Sequence, residues 1–202
     1  MRDAPVAERV LDATASITVE HGWAAVTMAK VAAMAGVSRQ TVYNEYGAKP
    51  ALGQAMVLRE LDRFLTVVAR ELDTHDDLVQ GIRAAAEQTL LSAQGNPLLN
   101  RMLASAHSVS AGGPGADNEL LPFLTTDAEP LILAAKDVIA ARITRFPDLG
   151  MTPAELDAAI DAIVRLVLSH VMQPGAEPAR TADHLAWIVA RVLREPAAGG
   201  AS

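Results

Sequence analysis

The apolar residues of this chain recur with helical period in stretches separated by short polar, glycine or proline breaks. Val6, Val10, Ala13 and Ile17 fall on one face of a first helix ending near His21 and Gly22. Thr27 is a suitable N-cap for a short second helix with Met28, Val31, Ala32 and Ala35 on its apolar side. Gly36 and Val37 interrupt the period, and Ser38 can cap a third helix from Arg39 to about Glu45, stopped by Tyr46 and Gly47. A long helix is expected from Pro50, tolerated in a first turn, to about Leu72. Asp73, Asp76 and Asp77 suit the positive end of the next, which runs to about Gln94. Gly95, Asn96 and Pro97 break the pattern before a helix from Leu98 to about Ser108, and Ser110 to Gly115 reads as a loop. Thr126 to Glu129 has the capping-box form and opens a helix to about Thr144. Thr152 to Glu155 repeats it, with Pro153 at the first helical position, for a helix to about Met172. Pro174 to Pro178 separates this from a last helix, Arg180 to about Arg194. No stretch alternates like a strand, so the expected fold is all-α with about nine helices.

Composition narrows the function. Aromatic residues are scarce at 3% while alanine, leucine, valine and arginine dominate, a mixture that favours helix. The absence of cysteine removes disulfides, thiolate metal sites and cysteine nucleophiles together. Met1 to Ala7 has no signal-peptide character and no apolar run reaches membrane-spanning length, which implies a soluble, cytoplasmic protein without a membrane partner. The net charge of −7 is uneven: residues 1–50 hold five basic and five acidic side chains, and the remainder carries the whole excess. A neutral head on an acidic body is compatible with approach to phosphate, because only the head must make it.

The segment from Thr27 to Lys49, TMAKVAAMAGVSRQTVYNEYGAK, has the form of a helix-turn-helix. Two short helices must meet steeply, so small residues (Ala32, Ala35) belong at the contact and glycine (Gly36) at the turn, with Val37 and Val42 plugging the junction. The second helix then presents Arg39, Gln40, Thr41 and Asn44 from its N-terminal end, where base edges in a major groove are read. Arg39 suits guanine, Gln40 adenine, and the Thr41 methyl thymine. Thr27, Ser38, Tyr43 and Lys49 are placed for backbone phosphate. Solvated polar residues on an ordinary helical hairpin would be the plain alternative, and the joint pattern outweighs it.

Residues 6–52 resemble the DNA-binding domain of the TetR family of bacterial repressors. The likeness is carried by the apolar stripe of the first helix and by Gly22, Val26, Thr27, Val31 and Ala32. It continues through Ala35, Gly36, Val37, Ser38, Thr41, Val42, Tyr43, Tyr46, Lys49 and Leu52. Family members usually have a small residue near Gln40 and most often phenylalanine where Tyr46 stands. The resemblance implies a head at 1–48, a ligand-binding and dimerisation body at 49–195, and a tail at 196–202 that reads as disordered from its small, glycine-rich composition. It also implies a homodimer paired through its last two long helices on a palindromic operator. The sequence supports the pairing by itself. Ile163, Val164, Leu166, Val167 and Leu168 leave one helix apolar nearly all round, and Leu185, Ile188, Val189 and Val192 form a stripe on the other, beside Trp187.

An apolar effector cavity in the body could be lined by Met56, Phe64, Leu99, Met102, Leu103, Leu131, Ile139 and Val167, with His107 and His170 as polar candidates. Three stretches, Ser38–Tyr46, Asn118–Thr126 and Arg165–Pro174, are similar to actinobacterial family members encoded beside alkane monooxygenases, which implies a fatty acid or other alkyl-chain effector. No catalytic constellation competes. The five histidines show no metal-ligand spacing, no phosphate loop or nucleophile elbow occurs, and Ser169 and His170 diverge on one helix. Neither enzyme activity, cofactor nor metal is expected. A DNA-binding activator, or a multidrug-type regulator answering to another hydrophobic ligand, stays open as the alternative.

Overall fold

Thr27, Ser38, Asp77 and Thr152 each cap a helix, their side-chain oxygens accepting the backbone N–H three residues on. Caps of this kind contribute about 1 kcal/mol each and set where the helices begin. The computed structural model describes residues 4–110, 129–146 and 149–193, the side chains of 105–110 excepted. Among them the helices are α1 (Val6–His21), α2 (Met28–Ala35), α3 (Arg39–Tyr46), α4 (Lys49–Thr74), α5 (Leu78–Gln94), α6 (Pro97–Ser110), α7 (Glu129–Ile143), α8 (Pro153–Met172) and α9 (Pro178–Val192). The all-α architecture expected from the apolar period is the one observed, with no strand among the described residues. Some details differ. A short 3-10 turn, Trp23–Ala25, joins α1 to α2, Tyr46 is the last residue of α3, and α6 runs on through Ser110. Pro97 and Pro178 open α6 and α9 instead of belonging to the breaks before them. Residues 111–115, 126–128 and 196–202, read from sequence as loop, cap and tail, lie outside the described residues.

The chain forms two compact units. The first comprises Met1–Leu61 with Asn96–Ala128, so the division falls within α4 and groups α6 with the N-terminal helices, whereas the boundary expected from sequence followed residue 48. In this unit α1 packs on α2 and α6, and α2 on α3. Val10, Val31, Val42, Leu52 and Met56 are completely buried. Thr14 and Thr18 are buried too, and each hydroxyl donates to the carbonyl four residues back, at 2.7 and 2.8 Å, so neither leaves an unsatisfied polar group.

The second unit comprises Asp62–Gly95 with Glu129–Ser202. Its core joins Leu72, Leu78, Ile82, Ile143, Ile160 and Val189, and a smaller cluster joins Ala86, Ala182 and Leu185 with Val167 packed against them. Alanines at that second contact let α5 and α9 approach closely. Gly81 serves the same end beside the last turn of α4, where a Cβ would stand 3.4 Å from Leu72 Cδ2. Rim ion pairs link α5 to α9 (Arg83–Asp183, 2.7 Å) and α7 to α8 (Lys136–Asp157, 2.8 Å). Both are solvent-facing and add little to stability. Among the described residues no helix is long and apolar enough to cross a membrane.

Candidate DNA-binding interface

The turn between α2 and α3 is built by Gly36, whose φ of +67° lies in the left-handed region. The Val37 N–H reaches back to the Ala32 carbonyl at 3.0 Å, closing the last turn of α2 as a Schellman-type cap. No atom beyond its neighbours lies within 4 Å of a Cβ built there, so backbone conformation, not crowding, selects glycine. Beneath the turn Val42 is completely buried and Val37 half-buried, as the spacing predicts.

Of the eight residues in α3 only Val42 is buried, and the candidate readers lie on the open side. Arg39, Gln40, Tyr43 and Asn44 are exposed, and Thr41 is half-buried. They are already paired one turn apart. Arg39 Nη2 donates to Tyr43 Oη at 3.2 Å, its guanidinium 5.3 Å from the ring centroid, and Gln40 Nε2 donates to Asn44 Oδ1 at 2.8 Å. Such pairs hold the side chains along the helix in their own order, and the bonds can be exchanged for base edges or phosphate oxygens at little net cost. Thr41 is tied more firmly, its N–H and hydroxyl both on Ser38 Oγ, at 3.0 and 2.8 Å. Thr27 is exposed and caps α2. The Lys49 ammonium lies 4.8 Å from the centroid of the Trp23 ring, which is buried under it.

Sequence reasoning missed that ring, and it missed two anchors on α1. Arg9 Nε donates to the Ala35 carbonyl at the end of α2 (3.2 Å), and the Tyr46 hydroxyl donates to the Ala7 carbonyl (3.0 Å). Burial first, then the Glu45 and Glu8 carboxylates, push the Tyr46 phenol above its usual value, with Arg59 acting the other way. It therefore stays protonated and donating at neutral pH. A phenylalanine there would lack the donor. The signal was present in the departure from the family's usual phenylalanine, but its partner, 39 positions away, was not.

The candidate effector residues divide between the units. Met56, Leu99, Met102 and Leu103 are buried in the first, with the Thr18 hydroxyl 3.9 Å from Met56 Sδ. Phe64, Leu131, Ile139, Val167 and His170 are half-buried in the second, and the His107 side chain lies outside the described residues. A cavity of about 90 Å³ does occur in the second unit, among Leu78, Ile143, Leu149, Ile160, Leu166 and Val192 with other aliphatic neighbours. None of the candidate effector residues lines it. The apolar stripe of α9 splits: Leu185 and Val189 enter the core, whereas Ile188 and Val192 are exposed along with Leu166 of α8 and Trp187. No group of His, Asp or Glu suited to a metal occurs among the described residues.

Two short helices joined by a left-handed glycine, the second with a polar face open along its length, define a helix-turn-helix transcription regulator. Residues 10–56 match the model of bacterial regulatory proteins of the tetR family, and residues 77–191 that of the bacterial tetracyclin repressor C-terminal domain. The chain belongs to the TetR family. It is similar to the HTH-type transcriptional regulator AlkX of Mycobacterium tuberculosis, at 32% identity over 90% of this chain and 82% of that protein. It is also similar to the transcriptional activator FasR of Mycolicibacterium smegmatis, at 24% identity over 75% of this chain and 69% of that one. Among solved structures, the TetR family repressor AlkX from a Dietzia strain, implicated in biodegradation of n-alkanes, matches with a TM-score of 0.72 and 25% identity, covering 93% and 97% of the two chains. The multidrug binding protein EbrR shares the fold, with a TM-score of 0.62 at 18% identity over 97% and 99%. The chain is thus a transcription regulator and not an enzyme.

Proposed function

We propose that the protein represses transcription as a homodimer on a palindromic operator and is released by an apolar, alkyl-chain effector. The observation that carries the DNA-reading part is the open face of α3. Arg39, Gln40 and Asn44 meet base edges, the Thr41 methyl meets thymine, and Tyr43, Thr27, Ser38 and Lys49 meet phosphate. Exposed Leu166, Ile188 and Val192 on α8 and α9 support the dimer, since an apolar face of this kind is stabilised by a second copy across a two-fold axis. The two recognition helices then occupy successive major grooves. The division into head and body at residue 48 belongs to this reading, with α4 contributing to both compact units as one unbroken helix.

The alkyl effector is supported by the similarity to AlkX, whose Dietzia member is described as implicated in n-alkane biodegradation. The candidates to meet it are Met56, Leu99, Met102, Leu103 and His107 in the first unit, and separately Phe64, Leu131, Val167 and His170 in the second. An effector shifts the operator-bound state only by its differential affinity for the two conformations, commonly ~1–3 kcal/mol. Activation is the second reading, favoured by the similarity to FasR. One experiment tests the whole. Duplexes are selected from a randomised pool with the full chain, and native mass spectra are recorded with and without long-chain fatty acids and their thioesters. A dimer that selects a palindrome and releases it on taking up one acyl chain per subunit is expected. A monomer, or a dimer selecting no sequence, overturns the reading, and in vitro transcription from the selected site separates repression from activation.

A further inference from the structure

Three consecutive residues at the start of α1 hold the three other N-terminal helices. The Ala7 carbonyl accepts from Tyr46 at the end of α3. Arg9 donates to the last carbonyl of α2. Between them Glu8, through its carbonyl and its carboxylate, receives Arg59 Nη1 of α4, at 3.5 Å each. One turn on, Asp12 Oδ1 receives the same nitrogen at 2.8 Å. On its other side Arg59 Nη2 lies 3.8 Å from Glu60 Oε1, and Glu60 Oε2 accepts from Asn96 Nδ2 at 3.0 Å. Asn96 in turn caps α6, its Oδ1 taking the Leu99 N–H at 3.0 Å. A continuous polar chain therefore runs from the cap of α6, through Glu60 and Arg59, to the turn of α1 on which α2 and α3 hang.

Stability alone is a poor reason for this arrangement. The Arg59 side chain is 11% exposed, and its Nε is buried without a hydrogen-bond partner. A buried guanidinium carries a desolvation penalty that its ion pairs often fail to recover, and an apolar side chain of similar length would fill the space without it. What a guanidinium adds is direction, because its planar donors fix the orientation of the groups that accept from them. We propose that Arg59 is a positioning residue for DNA binding. It is the hub of a relay by which the cap of α6 sets the placement of the recognition helix. The claim about DNA rests on the function proposed above; the relay itself does not. Leu99, Met102 and Leu103, candidate effector residues, lie on the helix that Asn96 caps, so a displacement of α6 has a path to α3 through hydrogen bonds and the Arg59–Glu60 ion pair.

Amide hydrogen exchange on the full chain tests the relay, with Arg59→Met, Arg59→Lys and Asn96→Ser compared with wild type. Serine still caps a helix, so Asn96→Ser removes the donor to Glu60 and keeps α6 begun. Several-fold faster exchange in residues 6–9 and 43–47 is expected in both Arg59→Met and Asn96→Ser, with Arg59→Lys between them and wild type. Wild-type exchange in those residues, or a change confined to 96–100 in Asn96→Ser, overturns the proposal. Should Arg59→Met not fold, Asn96→Ser decides alone. For duplexes selected by the wild-type protein, affinity should fall about tenfold in Arg59→Met while that for unselected duplex holds, as coupled positioning contacts of this size predict. If the wild type selects no duplex the regulatory reading fails, and the exchange result still stands for or against the relay.

Discussion

The exposed face of α3 and the exposed face of α8 and α9 meet solvent in opposite ways. On α3 the reading side chains are engaged with one another one turn apart, Arg39 with Tyr43 and Gln40 with Asn44. On α8 and α9, Leu166, Ile188 and Val192 lie uncovered and line a cavity that contains no polar residue. A polar partner on the first surface exchanges hydrogen bonds one for one, so little affinity is gained and most of the discrimination comes from geometry. An apolar partner on the second gains in proportion to the area removed from water, with little directional selectivity. One surface is suited to choosing a sequence, the other to holding two subunits together.

The largest effect should follow from charging the apolar face. Leu166→Glu with Ile188→Glu would place unpaired carboxylates in the proposed subunit interface, a cost of about 3 kcal/mol or more. Sedimentation velocity should then show a monomer that retains its helical circular dichroism, with operator binding lost because half-sites are no longer held together. A double variant that still sediments as a dimer would remove α8 and α9 from the interface.

The two faces were unequally legible in the sequence. α3 is short, its cap and glycine stop are local, and the polar side follows from the period once Val42 is placed inside. The starts of α2 and α3 were readable from Thr27 and Ser38 for the same reason. The α9 stripe was visible too, but its division was not. Leu185 turns inward onto Ala86 of α5, and Val189 onto the cluster of Leu72, Leu78 and Ile82, which are facts about distant packing. The effector residues were the least legible, since an apolar side chain on a helix looks the same whether it fills a core or lines a cavity. The tie from Ala7 to Tyr46 and the pairing of Arg59 with Glu8 and Asp12 join positions about forty or fifty apart, which no local pattern encodes.

Arg39→Ala tests the reading face more gently. It removes one bidentate donor and should weaken the selected operator by about 1–3 kcal/mol while relaxing preference at a single base position. Selection repeated with the variant measures both. Uniform loss at all positions, or none, would take Arg39 out of the base-reading set. Lys49→Ala should do less. Its ammonium, held over the Trp23 ring, contacts phosphate alone in the proposed complex, so every duplex is affected alike. The slope of log affinity against log salt should fall by about one, whereas an unchanged slope would place Lys49 off the DNA.

The smallest effect distinguishes the two faces by their caps. Ser38 begins α3 with the uncharged Thr41 three residues on, whereas Thr152 begins α8 with Glu155 in that position. Glu155 Oε2 accepts from the Thr152 N–H at 2.7 Å and from its hydroxyl at 2.8 Å. The backbone bond first, and then the hydroxyl, hold the Glu155 carboxyl below its usual value. A carboxylate lowered in the folded state contributes stability that is present above its unfolded pKa and is lost as pH falls through the folded one. Acidification should therefore loosen the first turn of α8 before it affects that of α3. Carboxyl titration by NMR should find Glu155 below an ordinary glutamate, and amide exchange at residues 153–156 should rise in acid relative to 39–42. In Glu155→Gln that relative rise should vanish. Because Glu155 is exposed, the shift in melting temperature should be slight, and a large one would mean that the α8 cap supports more of the apolar face than its own first turn.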